Sequence, residues 1–264
     1  MKKIFIFILP VLLLGCEKDP STPTLYVNSE SIFSVSDTSC VSFVKGYLEY
    51  ASRDSYSHEK GWNLGSLLSI YGHSDSKFAD AVELFQYGAS GYNNVRPGVQ
   101  NNESILPTGD ICGTNYDWGV YCNINGVSKD EHFRVLTADE WDYIYSKRDN
   151  AAQLRQLFDY FDNTYLLFFP DNWIGSYNQK VYSTLSWKEP EVYKKQVTID
   201  DLHNLGIVVI PFIKAGYSYN YPTAKSGMYW TSTYGAAFSV YDGVIYNIEP
   251  NCFLAVQLVK DVKK

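Results

Sequence analysis

The dipeptide Asp242-Gly243, set between FSVY and VIYNI, constrains this chain more than any other feature. Asp-Gly tolerates the left-handed backbone of a tight turn whose twist matches two antiparallel strands, so the flanking runs are expected to pair as a hairpin. MYWTSTY precedes this unit and FLAVQLVK closes the chain, which makes the C-terminal third strand-rich. VSFVKGYLEY near the start and TYLLFFP at 164–170 read as further strands. So does IVVIPFI, where Pro211 lacks a ladder donor and confines its strand to an edge or a bulge.

Two helices are written beside these strands. In RVLTADEWDYIYSKR, Thr137 and Glu140 form a capping box, and Leu136 and Trp141 occupy staple positions. Trp141, Ile144 and Tyr145 make an apolar stripe, and Lys147 and Arg148 suit the negative end, so the spacing predicts a helix from about Ala138 to Arg148. In VTIDDLHNLG, Thr198 caps, Val197 and Leu202 staple, and Gly206 supplies the left-handed stop. The expected class is α+β: a single domain with an antiparallel sheet and a few short helices packed against it.

The N-terminus addresses location. Lys2 and Lys3 precede the apolar run IFIFILPVLLLG, whose twelve residues would reach about 18 Å as a helix, short of a hydrocarbon core of about 30 Å. It reads as a signal peptide over residues 1–15 rather than a membrane span. Leu13-Leu14-Gly15-Cys16 resembles the lipobox of bacterial lipoproteins, which implies that Cys16 becomes the first mature residue and carries diacylglycerol and an N-acyl chain such as palmitate. Residues 16–24 read as a lipidated acidic, Pro/Ser/Thr-rich tether, and residues 25–264 as the folded domain. Glu17 and Asp19 beside the anchor resemble a surface-export signal, so the expected location is the bacterial outer membrane, facing the cell surface.

Without Lys2 and Lys3 the chain has 20 basic against 29 acidic residues, a net charge of −9, which argues against nucleic acid as a partner. Cys40, Cys112, Cys122 and Cys252 remain after the anchor. In an oxidising compartment they admit two disulfides: Cys112 with Cys122 would close a short loop, and Cys40 could meet Cys252 if the terminal strands pair. Inert buried thiols are the alternative reading. Their spacing does not suit zinc.

A further resemblance is carried by motifs in order: VSFVKGYLEY, ELFQYGASGYN, NYDWGVYCNI, RVLTADEWDYIYSKR, LLFFPDNW, DDLHNLGIVVIPF, GMYWTSTY and AVQLVKDV. This succession, over residues 33–262, resembles the FISUMP or "major paralogous" domains of bacterial surface lipoproteins. The family looks like a variant of the C-type-lectin-like fold, a scaffold shared with formylglycine-generating enzymes. The resemblance implies architecture and location; an activity does not follow from it. The formylglycine reaction uses a close cysteine pair late in the domain, where this chain has Cys252 alone.

Glu249-Pro250-Asn251 spells the calcium and mannose triplet of sugar-binding C-type lectins. That site needs a Trp-Asn-Asp partner and six to eight oxygen ligands, but only thirteen residues follow Asn251, mostly apolar. The triplet therefore reads as a Pro-Asn turn, and no metal or cofactor is expected. Nucleophile-elbow, zinc-protease, phosphate-loop and EF-hand patterns are missing from the sequence. His58, His73, His132 and His203 are scattered, and His203 reads as a surface or packing residue. A hydrolase needs only two carboxylates, and Asp139, Glu140, Asp142, Asp159, Asp162 and Asp171 could be drawn on, although capping and solvation explain them more simply.

Tyrosine is the feature left over: 23 residues, beside 14 Phe and 6 Trp. Trp118, Trp141 and Trp230 read as core. Tyr217, Tyr219 and Tyr221 in AGYSYNYPTAKSG, and Tyr87 and Tyr92 in YGASGYNN, stand among Ser, Gly and Asn, the composition of binding loops. The expectation is a non-catalytic, lipid-anchored binding or adhesion module that meets a glycan or a surface protein through aromatic loops, chiefly 213–227. The alternatives are an accessory subunit of a surface assembly, fimbria-like or for nutrient uptake, and a glycoside hydrolase with hidden carboxylates.

Overall fold

A two-residue alternation in the last strand organises the whole domain. The computed structural model describes residues 31–55, 58–65, 71–72, 80–128, 130–160, 163–173, 199–215 and 224–263. The closing strand β16 (Leu258–Val262) lies between β2 (Cys40–Phe43) and β7 (Phe133–Val135), with β1 (Phe33–Ser34) beyond β2. All these pairings are antiparallel, and Val259 stands opposite Phe43. Leu258 and Val259 point to opposite faces, and both are buried. Val259 joins a core with Phe43, Trp141, Phe168 and Phe238, whereas Leu258 joins one with Phe85, Trp118, Val135 and Trp230. The sheet is a partition with an apolar core on each side.

The first core is closed by β8 (Arg155–Tyr160), β9 (Asn163–Phe168) and β10 (Val208–Pro211), with β9 in the middle. Pro211 ends β10 at the edge of this sheet, as its missing donor requires. The second core is closed by β3 (Leu48–Ala51), which is flanked by β4 (Gly61–Leu64) and β6 (Ala81–Val82). A further four-stranded sheet runs in the order β14-β13-β12-β15, comprising Ile245–Asn247, Ala236–Ser239, Ala224–Trp230 and Phe253–Ala255. A short parallel pair joins β5 (Tyr71–Gly72) to β11 (Lys214–Ala215). The domain is thus α+β, mostly antiparallel, with a few short helices.

The runs flanking Asp242-Gly243 pair as expected, although across the six residues 239–244 and not across a two-residue turn. Phe238 pairs with Ile245, Gly243 takes a positive φ of 71°, and its amide donates to the Ser239 carbonyl at 2.9 Å. A Cβ on Gly243 would lie 2.1 Å from the Tyr145 ring, so the turn is seated directly on that side chain. Two expected strands are broken instead of continuous. VSFVKGYLEY splits at Gly46, whose φ is +88° and where a Cβ would meet the Gly65 carbonyl oxygen at 2.6 Å. FLAVQLVK splits opposite this kink at Val256-Gln257, and the buried Gln257 amide donates to the Val44 carbonyl at 2.8 Å. Gln257 thereby satisfies a backbone acceptor that the interrupted ladder would leave orphaned.

Helix α1 (Trp118–Tyr121) is short, and α2 (Ala138–Asp142) carries both bonds of the Thr137–Glu140 capping box. Trp141 on α2 is fully buried. From Tyr143 to Lys147 the helix widens into a π-helical turn, and it stops one residue before the expected end. Lys147 stays at the surface and pairs with Asp142, but Arg148 turns inward. Its guanidinium donates to the carbonyls of Leu154 and Phe169 and to Asp171, between the rings of Phe33 and Phe168. The expectation that Arg148 serves the helix end is corrected: carbonyls left free by a loop recruit the charge instead. Helix α3 (Ile199–Asn204) ends at Gly206 with φ 80°, while its expected cap Thr198 and staple Val197 lie outside the described residues.

Candidate functional site

The segment from Phe85 to Asp117 contains no strand and is held by buried polar side chains. Gln86 Oε1 accepts from the backbone amide of Asn101 at 2.6 Å and from its side-chain Nδ2 at 3.0 Å, and Gln86 Nε2 donates to the Asn251 carbonyl. Near the start of this segment the two tyrosines of YGASGYNN part company. Tyr87 is fully buried; its hydroxyl donates to the Ser232 carbonyl at 2.9 Å and its ring packs edge-on against Trp230. Burial raises the Tyr87 pKa far above the ordinary phenol value. Tyr87 is a core residue, which corrects the expectation that it meets a ligand.

Tyr92 is half-buried and joins two tyrosines that the sequence did not single out. Its ring lies 5.0 Å from Tyr116 and 5.4 Å from Tyr121, edge-on to both. Edge-on pairs hold rings in fixed relative orientation. Asn93 Nδ2 donates to the Tyr116 hydroxyl at 2.9 Å, Ser90 Oγ to the Asn115 carbonyl at 2.8 Å, and the Cys122 thiol to the Ser90 carbonyl at 3.6 Å. The turn itself needs left-handed backbone at Gly91, Asn93 and Asn94, the residue types that accept it. Val120 and Tyr121 on α1 are each 46 % exposed, so the cluster presents apolar and hydroxyl-bearing surface to solvent.

A cleft of about 410 Å³ opens beside it, lined by residues from Gly119 to Phe133, including Tyr121, Asn123, Ile124 and His132. Its walls are pinned at three places. Asn125 donates its amide to the Trp62 carbonyl at 2.7 Å, Glu131 pairs with Lys260, and Asp117 bonds Gly119 and Val135. Gly119 presses on the β7 backbone so closely that a Cβ would lie 2.4 Å from the Phe133 carbonyl carbon. The signal that could have marked this segment is Asp-Trp-Gly, an N-cap followed by a bulky anchor and a residue without a side chain, with tyrosines on either side.

Tyr217, Tyr219 and Tyr221 lie outside the described residues. Neither considered disulfide is formed. The terminal strands do pair, but their register sets Val262, not Cys252, opposite Cys40, and α1 separates Cys112 from Cys122. Glu249-Pro250-Asn251 forms a turn in which the Cys252 amide donates to the Glu249 carbonyl, and Asn251 donates to Glu103. Among the described residues no three His, Cys, Asp or Glu side chains are grouped to hold a metal. Of the considered carboxylates, Glu140 caps α2, Asp171 holds Arg148, Asp142 holds Lys147, and Asp159 accepts from Thr164. Asp139 is exposed and Asp162 is outside the described residues. His203 is driven down to about 4 by burial and then by Lys45.

A different acidic pair emerges from strand register. Tyr50 pairs with Val82 and Ala51 with Ala81, so one step further Glu49 faces Glu83 across β3 and the end of β6. Both are more than nine-tenths buried, and His58 Nε2 lies 3.3 Å from Glu49. Burial and then Glu83 raise the Glu49 carboxyl from 4.5 to about 7. Neither glutamate lines the cleft. Compared with protein-family models, curated proteins and solved structures, the chain finds no match.

Proposed function

We propose that this chain is a non-catalytic binding or adhesion module of the FISUMP type on a C-type-lectin-like scaffold, lipid-anchored through Cys16 at the outer membrane. Its ligand is a surface glycan or a protein, met at the Tyr92–Tyr116–Tyr121 cluster and the adjoining cleft. That cluster carries the reading: three tyrosines are held edge-on in fixed orientation, with 46 % of Tyr121 exposed beside a concavity. Such rings give stiff amphipathic contact area at small entropic cost. Loop 213–227 with Tyr217, Tyr219 and Tyr221 belongs to the same proposal on sequence grounds.

The test is binding of the mature protein to glycan arrays and to host-surface preparations, with and without Tyr116→Ala plus Tyr121→Ala. The reading expects a loss of tenfold or more. Unchanged binding by a folded variant rejects it.

One observation supports a second reading, hydrolysis by a carboxylate pair: Glu49 faces Glu83 with a raised pKa. Turnover of glycoside substrates that vanishes in Glu49→Gln and in Glu83→Gln would establish it in place of the first.

A further inference from the structure

We infer that Asp117 is the clasp of the tyrosine surface, a buried carboxyl group that closes the neck of loop 117–135 and whose protonation sets how firmly Tyr116 and Tyr121 are held. This deepens the binding reading, since the clasped surface is the one proposed there to meet the ligand.

The geometry makes Asp117 a joint rather than an ordinary cap. Its Oδ1 accepts from the Gly119 amide at 3.0 Å, which starts α1, and from the Val135 amide at 3.2 Å, which belongs to β7. Its Oδ2 lies 3.3 Å from the same Val135 amide. One carboxyl group therefore ties the two ends of the loop together, and the chain between them supplies every described residue that lines the cleft. Tyr116 precedes the clasp and Tyr121 follows it by one helical turn. Asp117 is fully buried, with Trp118 and Val135 beside it equally so.

A carboxylate in that position is costly unless its donors offset the lost water. Burial outweighs the bonds from Val135, Gly119 and Gly113 and the attraction of Arg134 on β7, and the carboxyl group is raised from 3.8 to about 7. Burial raises the thiols of Cys112 and of Cys122, at the end of α1, and the Tyr87 hydroxyl, and the Asp117 charge adds to the rise of each. Opening the neck returns the carboxyl group to water and to its ordinary range. The open form therefore binds fewer protons, and rising pH favours opening. The clasp is firmest below about 4, where both forms hold the proton; it loosens as pH rises toward 7 and is weakest above it, where the buried group is charged.

The experiment is amide hydrogen exchange and an NMR titration of the mature chain, which need no ligand. In the wild type, the Gly119 and Val135 amide signals shift with a midpoint near pH 7. Their protection, corrected for intrinsic exchange, falls about tenfold between pH 6 and pH 8. Leu166 in β9 keeps its protection, and Asp117→Asn removes the pH dependence at Gly119 and Val135. A wild type with no midpoint between pH 5 and 9, or protection of Leu166 falling in parallel, overturns the inference. So does an unchanged pH response in Asp117→Asn; should that variant not fold, the wild-type titration alone decides. Failure here leaves the ligand reading standing, because that reading is judged by the tyrosine variants.

Discussion

The indole of Trp141 lies flat on the ring of Phe238, with centroids 4.3 Å apart and planes inclined by 6°. Helix α2 and strand β13 meet through this pair, and Phe43 and Phe168 close around the indole. Phe238→Ala removes the ring from a fully buried site and is expected to cost about 3–5 kcal/mol, because the cavity cannot collapse between a helix and a sheet. Phe238→Leu should cost less than half as much. Chemical denaturation of the two variants checks the ratio.

Arg134 links three elements. Its guanidinium makes two bonds of 2.7 Å to the Glu140 carboxylate, while Nε and one terminal nitrogen reach Asp261 on β16. Glu140 is only 18 % exposed and also completes the α2 capping box, whereas Asp261 is 69 % exposed. Arg134→Ala strands a largely buried carboxylate and is expected to cost about 2–4 kcal/mol, against less than about 1 kcal/mol for Asp261→Asn. A double-mutant cycle on Arg134 and Glu140 should return a coupling of about 1–3 kcal/mol.

Glu49 gives the pH dependence a sign. Its folded-state value, about 7, lies above its ordinary 4.5. The folded form therefore binds the proton more tightly, and the associated stability is complete below 4.5 and lost as pH rises through 7. The loss is on the order of 3 kcal/mol. Wild-type stability relative to Glu49→Gln should fall by this order between pH 4.5 and pH 8, measured by urea unfolding.

The anchor is tested by fractionation. Cys16→Ser removes the only thiol of the lipobox-like segment, the site proposed to carry the acyl chains of a membrane anchor. The variant is expected in the soluble fraction while the wild type sediments with membranes. A wild type labelled on intact cells by an impermeant reagent checks the outward face.

Local chemistry was legible in this sequence wherever it closed within a few residues. The Thr137–Glu140 box, the Asp242-Gly243 turn, the Gly206 stop and the buried Trp118, Trp141 and Trp230 are all read from neighbours. What failed depends on partners far along the chain. Tyr87 and Tyr92 stand in the same polar text, yet the Ser232 carbonyl, 145 residues away, draws Tyr87 into the core. Gln257 and Arg148 look like surface residues until the Val44, Leu154 and Phe169 carbonyls are placed beside them. Glu49 opposite Glu83 is a product of register, which no local pattern announces. Tyr116 and Tyr121 meet Tyr92 in one cluster on a loop that Asp117 ties to β7, a contact across 18 residues.

The most direct test of the tyrosine surface is site-specific photo-cross-linking on intact cells. A photoreactive phenylalanine analogue replaces Tyr121 in one strain and Tyr241, 66 % exposed on the β13–β14 hairpin, in another. The account predicts a ligand adduct, glycan or protein, from position 121 and none from position 241. Adducts from 241 alone, or equal adducts from both, would contradict it.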